Sequence, residues 1–232
     1  MSMNILQFHI KGIVPALMGA NRLANPLDPL TIKYAQLTGT RSKTRTPQQH
    51  EEILSTQWHA ALYLDDKHRI CWPGENIEAM LRSAAPGVKT GLRQKLEIGM
   101  MCSGMWPLLH DGPKAIEQLY ADHRFQFTRL IRNTTTKAGG TNLVRSPKFD
   151  NWEVKFELEF NDDEISEVDM VRLVKRAGSH VGLSIWRPRN GRFTLLSVRG
   201  LKDPKSLNTQ PTVAGKKASS KKAAAIEEEE ED

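Results

Sequence analysis

The stretch WEVKFELEF, which runs from Trp152 to Phe160, alternates apolar and charged side chains at every position. A period of two is typical of a β-strand with one buried face and one solvated face. It is the clearest such pattern in the chain. We therefore expect this stretch to be a core strand of the fold.

A helix and a last strand are predicted after this core strand. The acids Asp162-Asp163-Glu164 favour the first turn of a helix, and Gly178 is expected to end that helix. Apolar residues recur along one side of it, at Val168, Val171, Val174 and Ala177. Residues 193–198 alternate again and predict the final strand.

The order of the elements predicts the fold class. A first strand is expected at residues 4–14, followed by an insertion and several central strands. Together with the last helix and strand they predict an α+β fold, ferredoxin-like or similar to an RNA-recognition motif (RRM-like). It would have an antiparallel sheet, helices on one face and long insertions. We expect one domain at residues 1–200, followed by a disordered tail at 201–232.

Local signals predict further elements inside the insertions. Thr46-Pro47, with Gln49 three residues after the threonine, predicts a helix start with a capping box. Residues 60–64 and 69–72 predict a hairpin. A helix is expected to begin at Pro73-Gly74, and the apolar residues 98–102 predict a strand.

Residues 177–193, called the arginine loop below, concentrate the candidate binding groups. These seventeen residues hold three glycines, Trp186 and the arginines Arg187, Arg189 and Arg192. Glycine lets the backbone approach a ligand closely, guanidinium groups pair with phosphate oxygens, and an indole can stack on a base. The alternative interpretation is a tight helix-to-strand connection with solvated arginines and a core tryptophan.

Other basic stretches are candidates for contacts with phosphate. Residues 38–46 contain no hydrophobic period, and a solvated loop is the alternative interpretation for that stretch. Residues 133–142 are hydroxyl-rich and flanked by arginines, so they suggest a finger projecting from a hairpin, and disorder without a role is the alternative. The candidate cations are Arg41, Lys43, Arg45, Lys89, Arg93, Arg132, Lys137 and Arg145, and Trp72 is a second candidate for base stacking.

The C-terminus is a candidate partner-binding tail. Its last six residues are all acidic, namely Glu227, Glu228, Glu229, Glu230, Glu231 and Asp232, although the whole chain carries a net charge of +6. A tethered acidic segment can compete with nucleic acid for a basic surface and recruit replication proteins when displaced. This arrangement resembles that of single-stranded DNA-binding proteins. A purely solubilising tail is the alternative.

Composition and motifs argue against several other classes of protein. Two cysteines are too few for a disulfide framework, and no apolar window is long enough for a membrane span. His50-Glu51 lacks the second histidine of a zinc-protease helix, and no phosphate-binding glycine loop is present. We therefore expect a cytoplasmic, non-catalytic protein without a cofactor or metal.

Several segments resemble a family of poorly characterised tailed-phage proteins over residues 1 to about 198. They are Arg22-Leu23-Ala24-Asn25-Pro26-Leu27-Asp28-Pro29, Pro73-Gly74-Glu75-Asn76-Ile77-Glu78, Ala177-Gly178, Val181-Gly182-Leu183 and residues 186–193. The glycine-rich loop before the last strand is also distantly similar to the repeat-associated mysterious proteins, the backbone subunits of CRISPR complexes. That similarity implies a ferredoxin-like core that binds single-stranded nucleic acid, often as filaments.

The leading hypothesis is a sequence-tolerant protein of phage replication or recombination that binds single-stranded nucleic acid, with DNA as the expected ligand. It would act as a homo-oligomer or filament on the strand. The alternatives are an RNA-binding backbone subunit of a CRISPR-like complex and a structural or assembly protein of a phage.

Overall fold

The computed structural model describes residues 3–39, 44–132 and 141–200. Nine strands and six α-helices occur in these ranges. The strands are β1 (Met3–Gly12), β2 (Ala16–Leu17), β3 (Cys71–Pro73), β4 (Met100–Met101), β5 (Met105–His110), β6 (Gln126–Arg132), β7 (Thr141–Phe149), β8 (Trp152–Asn161) and β9 (Phe193–Arg199). The helices are α1 (Pro29–Thr38), α2 (Pro47–Ala60), α3 (Gly74–Ala84), α4 (Leu92–Gly99), α5 (Ile116–Ala121) and α6 (Glu167–Arg176).

The main sheet has the strand order β3-β5-β8-β1-β9, and β4 also pairs with β8. The neighbouring strands within it are antiparallel. The succession β1, α3, the β4–β5 pair, β8, α6 and β9 is the β-α-β-β-α-β order of a ferredoxin-like fold. The predicted α+β fold with an antiparallel sheet is therefore confirmed.

The core lies between this sheet and helices α3 and α6. Every second residue of β8 is buried, and its partner β1 buries Leu6, Phe8 and Ile10. The rings of Phe8 and Phe156 stack across the two strands with centroids 5.6 Å apart. The helices bury Met80, Leu81, Met170 and Val174, among others. Alternation along β8 thus places one face of the sheet in the core, as the sequence predicts.

The two long insertions of the core meet in a smaller sheet with the order β2-β7-β6. β2 belongs to the first insertion, and β6 and β7 belong to the second. Helix α2 packs on β7, and its Trp58 donates a hydrogen bond from Nε1 to the carbonyl of Phe125 over 2.8 Å. The predicted capping box at Thr46 and Gln49 is present at the start of α2.

Helix α6 departs from its prediction at both ends. It starts after Ser166, whose hydroxyl accepts a hydrogen bond from the backbone of Asp169. The acids at 162–164 instead form a turn in which the side chain of Asn161 accepts from the Asp163 backbone. Gly178 does not end the helix, because a wider turn continues from Ala177 to Val181 and Gly182, at φ 85°, follows it. Gly178 is needed there because a Cβ would lie 2.4 Å from the carbonyl of Phe193.

Two predictions for the insertions are also corrected. Residues 92–99 form helix α4 rather than leading directly into an apolar strand, and only Met100 and Met101 of the predicted run 98–102 are a strand. Helix α2 extends to Ala60, so the predicted hairpin shrinks to an isolated bridge between Leu64 and Ile70. In both places helical propensity outweighs a short apolar signal.

Candidate nucleic-acid interface

The backbone of the arginine loop is fixed by hydrogen bonds to the chain that follows β1. The amide of Gly191 donates to the carbonyl of Pro15 over 2.8 Å, and that of Ile185 donates to Leu17 over 3.1 Å. The hydroxyl of Ser184 both donates to and accepts from the Leu17 backbone. Gly191 has φ 74°, and a Cβ there would meet the carbonyl of Leu183 at 2.4 Å. The loop is therefore a tightly packed frame that only glycine permits at this point.

Trp186 joins this frame to strand β6. Its backbone has φ 55°, a conformation that is rare for a residue other than glycine. The guanidinium of Arg129 lies 3.2 Å from the centroid of the indole, and Phe127 packs at 5.7 Å. Because Arg129 covers one face of the half-buried ring, the Trp186 side chain anchors the loop to β6. Stacking of a base on Trp186 stays a prediction.

The arginines Arg187, Arg189 and Arg192 project from this frame into solvent. Within the described ranges none of the three side chains has a hydrogen bond or an ion pair. Many other arginines of the fold are paired with a carboxylate; Arg69 with Asp65 at 2.7 Å and Arg124 with Asp122 at 2.7 Å are examples. Three arginines without a carboxylate partner in the described ranges thus lie within one six-residue segment, 187–192, of the arginine loop.

Arg145 is placed differently from its prediction. Its side chain is only 12% exposed and forms an ion pair with Glu51. The guanidinium also donates to the hydroxyl of Tyr120 over 2.8 Å and to that of Thr128 over 3.0 Å. The pairing holds the pKa of Glu51 below its usual range, chiefly through the hydrogen bond from Arg145. Arg145 therefore links β7 to α2 through these bonds, and its contact with phosphate stays a prediction.

Trp72 does not offer an exposed face for stacking. The residue is 2% exposed, and its ring packs against Tyr63 with centroids 5.6 Å apart. Together with Tyr63 it lines a cavity of about 180 Å³ beside the arginine loop. The lining also includes Asn76 and Arg187. The structure thus brings Trp72 close to the arginine loop, but as part of a cavity wall.

The other residues predicted to contact phosphate lie on different elements, where the structure describes them. Arg45 donates to the carbonyl of Thr38 at the end of α1 over 2.8 Å. Lys89 and Arg93 lie before and on α4, where they pair with Asp169 at 3.5 Å and with Glu97 at 3.2 Å. Arg132 is exposed at the end of β6, with the opposite side-chain direction to Arg129. Arg41, Lys43, Lys137 and the acidic residues 227–232 lie outside the described residues.

The outer face of the main sheet lacks the features of an RNA-recognition motif. Such motifs stack bases on aromatic side chains of their central strands. Along β1 and β8 the outward positions here hold no phenylalanine, tyrosine or tryptophan. Glu153 in this face is paired with His9 at 2.8 Å and with Lys11 at 3.1 Å. The likeness to an RNA-recognition motif therefore extends to the fold and not to its binding face.

Both cysteines are buried in the parts of the chain that the structure describes. Burial raises the pKa of both Cys71 and Cys102 to about 12, so each thiol stays protonated at neutral pH. No group of three or more potential metal ligands occurs in those parts. Likewise, none of the helices described there has the length and apolar character that a membrane span requires.

Comparisons with known proteins identify no family. No protein-family model matches the chain, and no curated protein matches it. A chain in a cryo-EM structure of Type III-B Cmr-beta bound to cognate target RNA is similar at 12% identity, with a TM-score of 0.45. The match covers 84% of this chain and 60% of that one, so this chain spans less than two thirds of its length. A structural similarity this low does not indicate a function. The resemblance to phage proteins stays a prediction.

Proposed function

We propose that the chain binds single-stranded nucleic acid through the arginine loop, without recognising a particular sequence. The observation that carries the proposal is the set of three exposed arginines, Arg187, Arg189 and Arg192, which have no partner among the described residues. A guanidinium group pairs with phosphate oxygens through two parallel hydrogen bonds. Three such groups on one loop suit a phosphate backbone.

The fixed backbone of the loop favours binding. A flexible loop loses conformational entropy when it closes on a ligand, and that loss weakens association. Here the bonds from Gly191 to Pro15 and from Ile185 to Leu17, and the packing of Trp186 on Arg129, hold the loop before any ligand arrives. The arginine side chains alone remain to be ordered on binding.

The kind of nucleic acid and the biological role are inferred from the sequence, not from the three loop arginines. A preference for DNA, and a role in phage replication or recombination, follow from the resemblance to tailed-phage proteins and from the acidic C-terminus. The acidic residues 227–232 would compete with DNA for the arginine loop and would recruit partner proteins when released. The protein would act without catalysis, as a homo-oligomer or filament along the strand.

Fluorescence anisotropy with labelled single-stranded DNA, single-stranded RNA and duplex DNA across a salt series tests this proposal. The full chain should prefer single-stranded DNA, and its affinity should fall steeply with salt because counterions are released from the phosphates. A version ending at Gly215 should bind more tightly, because the competing acidic residues are gone. Equal affinity of both versions would remove the competing role of the acidic residues.

The same measurement separates the alternatives. A preference for RNA would favour an RNA-binding backbone subunit of a CRISPR-like complex, which should also purify with a defined RNA and other subunits. Absence of binding to all three nucleic acids near physiological salt would contradict the proposal. It would favour a structural or assembly protein whose self-association is insensitive to salt.

A further inference from the structure

A β-bulge in β9 decides which of its side chains point outward from the main sheet. His9 of β1 lies opposite Ser197, whereas the next residue, Ile10, lies opposite Leu195. Leu196 is therefore the extra residue of a bulge. Directly opposed residues share a face of an antiparallel pair. Because Ile10 is buried, Leu195 lies on the core side and Ser197 on the outer side.

The bulge also brings Arg199 to the outer face. Thr194 lies opposite Lys11, and Arg199 lies opposite Gln7. Both β1 residues point away from the core, because they alternate with the buried residues of that strand. Strict alternation from Thr194 without an extra residue would turn Arg199 towards the core. Bulges next to functional sites commonly redirect a side chain in this way.

Arg192 of the arginine loop lies on the same face, at the start of β9. Its carbonyl accepts a hydrogen bond from the amide of the exposed Ile13 over 2.9 Å. It precedes Thr194 by two residues, so the two side chains point the same way. The outer side of β9 thus presents four side chains in order, called the β9 row below: Arg192, Thr194, Ser197 and Arg199. The row is about 20 Å long, at roughly 3.3 Å per residue.

The positive charge of the outer sheet face is concentrated at this row. Strand β9 contains no aspartate or glutamate, whereas β8 carries Glu153, Glu157 and Glu159 on the same face. Strand β1 lies between β8 and the row, and its Gln7 donates a hydrogen bond to Glu157 over 3.2 Å. Within residues 3–39, 44–132 and 141–200, the exposed side chain of Arg199 has no carboxylate partner and no hydrogen bond.

Thr194 and Ser197 supply neutral donors between the two arginines. Both residues are exposed, and neither hydroxyl has a hydrogen bond to another described residue. Serine and threonine hydroxyls, like arginine, commonly contact phosphate oxygens, and such contacts position a strand without reading its bases. The row contains no aromatic side chain on which a base could stack. Its chemistry therefore suits the phosphates of a nucleic acid and not its bases.

We infer that the bound single strand continues from the arginine loop along β9, with its phosphates on Thr194, Ser197 and Arg199. This inference rests on the proposed function. Arg199 is a further binding residue, and the bulge at Leu196 aims it at the strand. Because every contact in the row is made to phosphate, the longer interface still tolerates any sequence.

The test is fluorescence anisotropy of the full chain with a labelled oligothymidylate of about 16 nucleotides, the upper end of common site sizes. Arg199→Ala should reduce the slope of log affinity against log salt by about 0.7, the value for one phosphate contact with a single strand. Arg199→Lys should keep the original slope, because lysine also neutralises a phosphate. Urea midpoints equal to that of the unmodified chain establish that the variants are folded.

Lys155→Ala is the matched control. Lys155 is an exposed cation on the same outer face, but it lies on β8 between Glu153 and Glu157. Its removal costs the chain the same charge as Arg199→Ala and should leave the slope unchanged.

The outcomes separate the β9 row from the proposed function. If the oligothymidylate binds and Arg199→Ala keeps the original slope, the path along β9 is wrong and the proposed function stands. An equal fall in slope for Lys155→Ala would also overturn the path, because the loss would then follow the total charge of the chain. If no strand binds at all, the proposed function fails and the path fails with it.

Discussion

The guanidinium group of Arg145 and those of the arginine loop have different surroundings. The guanidinium of Arg145 is surrounded by acceptors, namely the carboxylate of Glu51 and the hydroxyls of Tyr120 and Thr128. Arg187 and Arg189 have no carboxylate or hydroxyl partner in the described ranges and project into solvent. Local basic composition therefore does not show which arginine side chains are available to a ligand. Their availability depends on whether the fold brings an acceptor from elsewhere in the chain.

The largest effect is expected from Arg145→Ala, which removes the guanidinium that links β7 to α2. Tyr120 and Glu51 would lose their common donor, and the free energy of unfolding should fall by about 2 kcal/mol. Urea denaturation measures this change, and Arg187→Ala is the control, with a change within about 0.5 kcal/mol. Nucleic-acid affinity of folded Arg145→Ala should match that of the unmodified chain. A large loss of affinity without loss of stability would place Arg145 in the binding surface.

A smaller effect is expected from Arg129→Met, at the contact between β6 and Trp186 of the arginine loop. Methionine keeps much of the packing on Trp186 but removes the cation from the indole face, 3.2 Å away in this structure. We expect the free energy of unfolding to fall by about 1 kcal/mol. Thermal or urea unfolding measures this. No change in stability would mean that the contact does not hold the loop.

The smallest effect concerns pH and the ion pair of Arg145. The pKa of Glu51 is lowered in the folded state, first by the hydrogen bond from Arg145. Its contribution to stability is therefore complete above the unfolded value of roughly 4.3 and is lost as the pH falls through the folded pKa. Between about pH 5 and 3 the unmodified chain should lose slightly more stability than Glu51→Gln. Parallel pH profiles of urea midpoints would contradict this assignment.

Secondary-structure elements whose signals come from residues close together in the sequence could be predicted. The alternation of residues 152–160 gave the central strand β8, and Thr46 with Gln49 gave the start of α2. Both depend on residues within a few positions of each other. Local rules failed where two local signals competed: the acids at 162–164 resemble a first helical turn, yet Ser166 caps α6 and Asn161 holds the acids in a turn.

Features set by distant contacts could not be predicted. Glu51, the partner of Arg145, is 94 positions away in the sequence, and no pattern connects the two. Arg129 was not a predicted site residue, although its position in the alternating strand β6 places it on the same side as Phe127. Trp72 was predicted as a candidate for base stacking, but its burial against Tyr63 depends on the packing of the first insertion. The arginine loop itself was found from composition, whereas its rigid frame was not.

The proposed contact between the loop arginines and phosphate is tested by the salt dependence of binding by two triple variants. One variant carries Arg187→Ala, Arg189→Ala and Arg192→Ala; the other carries Arg69→Ala, Arg124→Ala and Arg172→Ala, three exposed arginines that are paired with Asp65, Asp122 and Asp169. Both lose the same charge. We expect the first to reduce the slope of log affinity against log salt by about 2, at roughly 0.7 per phosphate contact with a single strand, and the second to keep the original slope. Equal slopes for the two variants would show that the loop arginines do not contact phosphate.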